Sequence, residues 1–228
     1  LNGTRLRYTD KNYFIDRSIT LSYSLDGKTW VCEHDYFPKV YMYTNYGLYS
    51  IGLENGFIPN RLSIYRHNSK DYKGVYYEER FESYIDLIFN GRLDLVKLYQ
   101  NISWHSSSVN PYENTNYYFQ TIDSLVVYND NQCSEEMVIN QENTKIARNL
   151  EGEWQCNTFR DMVVDRSLPL IDSRGVLNLS NINMNRNWFD KSNFISTFIV
   201  VRMIMKNLSN NTISINSVNV KSRLSDRT

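Results

Sequence analysis

The sequence predicts an all-β protein made of antiparallel strands, and three observations support this class. Apolar and polar residues alternate in short runs, as they do over residues 19–24, and this period of two marks strands with one buried face. Pairs that favour tight turns, Asp26-Gly27 and Asn90-Gly91, lie next to such runs. The chain also holds 18 Tyr residues, and tyrosine is enriched in strands.

Residues 18–52 predict four short strands joined by three tight turns. Asp26-Gly27 favours a type I′ hairpin turn, since both central residues of that turn need positive φ. Pro38 forms part of a corner after the second strand, because its φ is fixed and it has no N–H to donate to a ladder. The four strands are expected at residues 19–24, 29–33, 40–44 and 48–51. We predict that they form one antiparallel meander resembling a propeller blade, with Trp30 buried in it.

The rest of the chain predicts a β-sandwich-like antiparallel region that ends in a long hairpin. Residues 197–205 and 212–223 are expected to pair with each other across a turn at 208–211. Both faces of 197–205 are apolar, which favours a central position in a sheet, and Trp154 is expected to be buried. Further strands are predicted at residues 61–67, 75–84, 85–89, 93–104 and 117–128, although 93–104 would also allow a helix. Residues 146–156 alternate poorly, and loops are predicted at 105–116, 132–141 and 168–187.

The predicted organisation has two parts, a blade-like meander with its following strand at residues 1–78 and a β-rich region at 79–228. A chain of 228 residues can bury enough surface to fold without metal or disulfide staples. Because the sequence starts with Leu1, we expect a fragment or a processed product, with the partner strands of the first meander lying upstream. The 168–187 loop is long for a compact domain and is expected to pack on a neighbour.

Composition narrows the classes of partner. Lys and Arg number 25, as do Asp and Glu, which argues against a general nucleic-acid surface. No apolar run approaches the roughly 20 residues that span a bilayer. Asn makes up about an eighth of the chain, and a surface of polar uncharged residues suits extracellular or virion proteins. The three cysteines, Cys32, Cys133 and Cys156, are predicted to be free thiols, although a disulfide between two of them stays open.

No catalytic, metal or cofactor site is predicted from the three histidines, His34, His67 and His105. Cys32 and His34 share one face of a strand, which is the spacing of a partial metal site, but zinc sites need a second pair. His34 and Asp35 favour a hydrogen bond that stabilises the turn. We ascribe the carboxylate pairs Glu78-Glu79 and Glu135-Glu136 to a solvated face. We ascribe to chance the Asn-x-Ser/Thr triplets, which begin at Asn2, Asn101, Asn178, Asn207 and Asn210.

Tyrosines cluster at residues 36–49 and again at Tyr112, Tyr117 and Tyr118. Such clusters can form a stacking surface for carbohydrates or bases. They are also typical of sheet faces and subunit interfaces, because tyrosine is enriched in both. With no enzyme signature beside them, assembly is the favoured interpretation.

Short motifs near the two ends of the chain resemble a known family by their order and spacing. The first group is Ser22-Tyr23-Ser24, Lys28-Thr29-Trp30-Val31, His34-Asp35-Tyr36-Phe37-Pro38 and Leu48-Tyr49-Ser50, and the second is residues 198–203 and 220–227. This arrangement resembles the C-terminal part of the tail muzzle, or stabilisation and tail hub, proteins of crAss-like bacteriophages. The resemblance implies a non-enzymatic virion protein in which Trp30, His34, Tyr36 and Pro38 set the corner of the repeat.

The function implied by this resemblance is structural. It is that of a homo-oligomeric ring at the distal end of a short tail, which closes the channel and retains genome or cargo proteins until ejection. The implied partners are further copies, other tail proteins, the upstream part of the polypeptide, and cargo proteins or a DNA end. A glycan- or receptor-binding module of a tail is the first alternative. A polysaccharide hydrolase is the second, although no carboxylate pair has a context that predicts a raised pKa.

Overall fold

A computed structural model describes residues 19–34, 36–52, 64–67, 73–139, 146–163, 170–171, 177, 182, 192–206 and 208–225. Within these ranges the regular structure is all strand, and every strand pair is antiparallel, which confirms the predicted all-β antiparallel class. The chain divides into two compact units, Leu1–Phe81 and Glu82–Thr228. The expectations for residues 1–17 and 53–60 and for Asp35 lie outside the described residues.

The described residues of the first unit form seven short strands in three small sheets. They are β1 (Thr20–Ser24), β2 (Thr29–His34), β3 (Pro38–Thr44), β4 (Gly47–Gly52), β5 (Ile64–Arg66), β6 (Val75–Tyr76) and β7 (Glu79–Arg80). The four strands predicted over residues 18–52 are confirmed as β1 to β4. Their pairing differs from the prediction, since β1 pairs with β2 alone while β3, β4 and β5 form a separate sheet.

The prediction of one four-stranded meander is therefore wrong, and the corner after β2 shows the reason. The Thr20 hydroxyl donates a hydrogen bond to the Tyr36 carbonyl oxygen at 2.6 Å. This bond holds the corner against β1, so the strand that follows the corner does not pair with β2. Pro38 then begins β3 opposite Gly52 of β4, with a register shift before Val40.

The tight turns also differ from the predicted types. Ser24 pairs with Thr29, so the β1–β2 loop has four residues, and Lys28 is the non-glycine residue there with positive φ, at 49°. The type I′ geometry expected at Asp26-Gly27 occurs instead between β6 and β7, where Tyr77 and Glu78 both have positive φ, at 54° and 68°. Non-glycine residues rarely adopt this conformation, so Tyr77 must be held by its surroundings.

The second unit contains two larger sheets. Its strands are β8 (Ser83–Phe89), β9 (Lys97–Asn110), β10 (Thr115–Asn116), β11 (Ser124–Tyr128), β12 (Met137–Val138), β13 (Ala147–Leu150), β14 (Glu153–Cys156), β15 (Ile195–Ser196), β16 (Ile199–Met205) and β17 (Thr212–Leu224). One sheet has the order β12-β11-β16-β8. The other runs β10-β9-β14-β13, with β15 and β17 also paired to β9.

The main core lies between these sheets, as in a sandwich. Its fully buried side chains include Trp104 of β9, Leu125 and Val127 of β11, and Val201 and Met203 of β16. Trp154 is buried beside Trp104, as predicted. This core is large enough for the second unit to supply its own hydrophobic stabilisation.

Strand β16 lies in the interior of its sheet, which confirms the prediction from its two apolar faces. Ile199, Val201 and Met203 face the main core, while Val200 belongs to a second cluster on the opposite side of the sheet. The second cluster contains Leu170 and Leu177, and Ile182 packs against it. The described residues of the 168–187 loop thus pack on this chain's own sheet.

The predicted terminal hairpin is wrong, because β16 pairs with β8 and β11 whereas β17 pairs with β9 in the other sheet. Strand β17 alternates apolar and polar residues, and its apolar side packs on the main core through Ile215, Val218 and Val220. One apolar face suits an outer strand, whereas β16 needs cover on both faces. Two register shifts interrupt β17, a common way to blunt an exposed edge.

Two further element predictions are corrected in the second unit. The loop predicted at 105–116 is strand as far as Asn110, because β9 continues to pair with β17 there, with Ser106 opposite Ile215 and Val109 opposite Thr212. The serines of this run also bond to the segment that precedes β11. Ser106 Oγ lies 2.7 Å from Thr121 Oγ1, and Ser108 Oγ donates to Gln120 Oε1 at 2.9 Å. The strand predicted at 117–128 begins only at residue 124.

Candidate functional site

Few of the side chains that the structure describes in the first unit are buried. Among these described residues only Tyr36 and Ser50 are buried. The candidate functional features of the chain are therefore the cluster around Tyr36 and the apolar surface that this unit leaves uncovered.

Tyr36 is the centre of an aromatic cluster formed by residues far apart in sequence. Its ring stacks on Tyr76, with centroids 4.1 Å apart, and meets Tyr77 edge-on at 5.8 Å. The rings of His34 and His67 lie 5.0 Å and 5.4 Å from it. Two of the three candidate histidines thus share one cluster, which their spacing in sequence does not indicate.

A short hydrogen-bond chain fixes one side of this cluster. Ser50 Oγ lies 2.6 Å from His67 Nε2 and 2.6 Å from the Tyr77 hydroxyl. Tyr77 also meets Tyr65 edge-on at 4.9 Å. These contacts offset the cost of the positive φ at Tyr77, which is about 1–2 kcal/mol.

Burial keeps several side chains of the cluster uncharged at neutral pH. Burial and the neighbouring Tyr41 and Tyr76 raise the pKa of Tyr36 well above its usual range. Burial also raises the pKa of Tyr76, with a further rise from nearby Cys32. The pKa of His67 is lowered by burial and by the proximity of His34, so its ring is neutral. The neutral rings of Tyr36, Tyr76 and His67 are suited to holding strands together and to stacking.

Cys32 and His34 are brought together as their spacing predicts, and a third side chain joins them. Cys32 Sγ lies 3.3 Å from His34 Nε2 and 3.0 Å from Ser22 Oγ. Ser22 Oγ lies 3.2 Å from His34 Nε2. Spacing along the chain does not single out Ser22, although pairing of the first two strands across a turn places it near Cys32.

The β1–β2 ribbon is inverted with respect to the prediction, because its polar face is the more buried one. Thr20, Ser22 and Ser24 are half-buried while the residues between them are exposed. Trp30, predicted to be buried, is 65% exposed and meets only the edge of Tyr23 within the ribbon. We call the exposed apolar side chains of the ribbon the ribbon patch, defined by Ile19, Leu21, Tyr23, Trp30 and Val31, which are 60%, 45%, 46%, 65% and 61% exposed.

The second sheet of the first unit is also open to solvent. Strand β3 is exposed along nearly its whole length, including Val40, Tyr41 and Tyr43. Large apolar side chains are therefore exposed on two sheets of one small unit. Uncovered apolar surface of this extent marks an interaction site in a folded protein.

In the second unit a charged cluster lies on the outer side of the four-stranded sheet. Arg202 donates two hydrogen bonds to Asp86, at 2.8 Å and 2.7 Å, and its guanidinium lies 4.3 Å from the Tyr84 ring centre. Tyr128 donates to Asp86 at 3.1 Å, and burial followed by the Asp86 charge raises the pKa of Tyr128 to about 12. The carboxylate and guanidinium satisfy each other, so this cluster has a structural role.

His105 and the carboxylate pairs are dispersed over the surface of the molecule. His105 Nδ1 lies 3.3 Å from the Gly152 carbonyl oxygen, on an exposed strand position. Glu136 forms an ion pair with Lys206 at 3.1 Å, and the nearby Ser124 hydroxyl together with the charge of Lys206 lowers its pKa. A lowered pKa is the opposite of what a glycosidase general acid needs.

A group of exposed aromatic side chains follows β9 in the second unit. Tyr112, Tyr117, Tyr118 and Phe119 are 55%, 40%, 77% and 67% exposed. The backbone beneath them is fixed, since Tyr117 N donates to the Ser108 carbonyl and Asn149 Nδ2 donates to the Tyr118 carbonyl. The second predicted tyrosine cluster is thus an ordered surface with exposed aromatic side chains.

Within the described ranges, no group of three or more His, Cys, Asp or Glu side chains is placed to hold a metal ion. The same part of the chain contains no helix long and apolar enough to cross a membrane. A scan of the chain against protein-family models gives no match, and a search of curated proteins finds no relative. The function of this chain is therefore inferred from its geometry and its motifs.

Proposed function

We propose that this chain is a structural virion protein, a subunit of the homo-oligomeric ring at the distal end of a short bacteriophage tail. The ring closes the channel and retains genome or cargo proteins until ejection. The observation that carries the proposal is the open apolar surface of the first unit, where only Tyr36 and Ser50 are buried among the described residues. The order of the motifs around Trp30 and Pro38 supports the resemblance to tail muzzle proteins.

The ribbon patch is large enough to contribute to a permanent contact. Fully covered aromatic side chains bury about 150–250 Å² each and aliphatic ones less, so the exposed fractions of these two aromatic and three aliphatic residues amount to roughly 450 Å². A standard interface buries about 800 Å² per partner. The patch would supply more than half of such an area, and the open face of β3 lies within the same unit.

The division of burial between the units supports this role. The second unit has a closed core with fully buried Trp104 and Phe194, as expected of a self-supporting body. The first unit has a two-stranded ribbon, which is marginally stable in water unless another surface covers it. A ring subunit is expected to combine a rigid body with surfaces that are covered only on assembly.

The proposal is tested on purified particles of the phage that encodes this chain. Peptide mass spectrometry gives its copy number, and antibody labelling in electron microscopy gives its position. We expect a fixed multiple of copies per particle, all at the tail tip. A chain recovered only as free monomer, and absent from particles, would contradict the proposal.

Surface variants then test the ribbon patch. The double substitution of Trp30→Ser and Val31→Ser should lower incorporation into particles by about 10-fold or more, because one hot-spot aromatic is worth about 2 kcal/mol. Tyr118→Ser is the matched control, since it removes an exposed aromatic from the second unit. Equal losses in both variants would show that the effect is not specific to the ribbon.

A second candidate function is glycan binding at a tail surface, favoured by the exposed side chains of Tyr117 and Tyr118. Aromatic rings stack on the apolar faces of sugars, while asparagine and serine side chains bind their hydroxyls. Asn149 adjoins this surface through its bond to the Tyr118 carbonyl. A glycan array with the intact chain tests it. Hits that are lost in Tyr118→Ala and kept in Trp30→Ala would favour this function.

A further inference from the structure

The Cys32, His34 and Ser22 side chains form a chemical group that the proposed assembly role does not use. The antiparallel register places Ser22 directly opposite Cys32, and His34 follows two residues later on the same face. Their Sγ, Nε2 and Oγ atoms lie within 3.0–3.3 Å of one another. The strand pairing therefore holds a thiol, a base and a hydroxyl in mutual contact.

Accessibility distinguishes Cys32 from the other two cysteines of the chain. Cys32 is exposed, whereas Cys133 and Cys156 are buried. Burial and the Asp161 charge raise the pKa of Cys133 to about 12, and burial raises that of Cys156. A buried thiol of this kind is inert, because the thiolate is the reacting species.

The side chains around Cys32 match the arrangement of an activated nucleophile. Such sites place a base within hydrogen-bond reach of the nucleophile and hold the base with a third group. His34 Nε2 is the base, and its ring is held against Tyr36 at 5.0 Å and near Tyr76 at 6.2 Å. Ser22 lies close enough to donate its hydroxyl hydrogen to the sulfur.

We propose that Cys32 is a modification site, a thiol that small hydroperoxides oxidise with His34 as its base. The Sγ–H proton passes to His34 Nε2, and the thiolate attacks one oxygen of the hydroperoxide. An S–O bond forms as the O–O bond breaks. The leaving oxygen takes the proton from His34 and departs as water or an alcohol. The sulfur loses two electrons and becomes a sulfenic acid, while the peroxide is reduced.

The experiment measures oxidation at each cysteine of the intact chain. Hydrogen peroxide is added with dimedone, which traps sulfenic acids, and peptide mass spectrometry follows the three sites separately. We expect an adduct at Cys32 and none at Cys133 or Cys156. Because a free thiol is only a few per cent ionised at pH 7, a base can raise the rate by at most about 30-fold. We therefore expect His34→Ala to slow Cys32 labelling by about 10-fold.

Added imidazole separates a chemical role of His34 from a structural one. Imidazole should restore part of the rate in His34→Ala, since it replaces the missing base without repairing any packing. Tyr23→Ala, on the opposite face of the same ribbon, is the matched control and should label at the unaltered rate. Labelling of Cys32 at equal rates with and without His34, or a loss that imidazole does not restore, would overturn the proposal. This inference stands independently of the assembly role.

Discussion

Replacing Trp104 with alanine tests where the stability of the second unit comes from. Trp104 is fully buried in the middle of β9, and its indole stacks on Trp154 with centroids 6.3 Å apart. Its Nε1 donates a hydrogen bond to Thr121 Oγ1 at 2.8 Å. The substitution therefore removes apolar burial, an aromatic pair and a buried hydrogen bond together.

The expected magnitude follows from these three contributions. An indole that buries about 200 Å² contributes roughly 5 kcal/mol at about 25 cal/mol per Å². The stacked pair adds about 0.5–1.5 kcal/mol and the hydrogen bond about 1 kcal/mol. Partial collapse of the cavity offsets some of this loss, and tryptophan-to-alanine changes in cores cost about 3–5 kcal/mol. We expect a loss near the upper end, about 4–5 kcal/mol.

Trp30→Ala is the matched control, because the same side chain is 65% exposed there. It should cost less than about 1 kcal/mol, as surface substitutions do. Amide hydrogen exchange measures both variants within the intact chain, since β9 amides report on the second unit and β2 amides on the first. A loss below about 2 kcal/mol for Trp104→Ala, or a larger loss for Trp30→Ala, would refute the assignment of the core.

Two further predictions concern the second unit. Asp86→Asn should lower the free energy of unfolding by about 2–3 kcal/mol, because it weakens the two hydrogen bonds with the largely buried Arg202. Arg92→Gln is the control: it breaks an exposed ion pair with Asp94 and should cost about 0.5 kcal/mol or less. Urea unfolding measures both variants. Burial raises the pKa of Tyr99 and Tyr128 to about 12, so the unfolded chain ionises these groups first and stability should fall between about pH 10 and pH 12. Phenylalanine at both positions should flatten that loss, as measured by unfolding at each pH.

Local patterns in the sequence determine the class of secondary structure and the positions of several strands. The four strands of residues 18–52 form where alternation and turn residues predict them. The two apolar faces of residues 199–205 correctly predict an interior strand, because only a strand covered on both sides can bury such a pattern. The spacing of Cys32 and His34 likewise predicts their contact, since side chains two apart share a face.

Only the tertiary structure decides which strands pair and which faces are covered. Alternation is the same whichever partner a strand takes, so nothing local in β17 selects β9 over β16. The local sequence does not determine which face of the β1–β2 ribbon is buried. The polar face is the more buried one and Trp30 is exposed, because Tyr36 and Tyr76 pack beside His34. The contact between His34 and Tyr76 joins residues 42 positions apart. Its energy comes from long-range burial, which a short stretch of sequence does not encode.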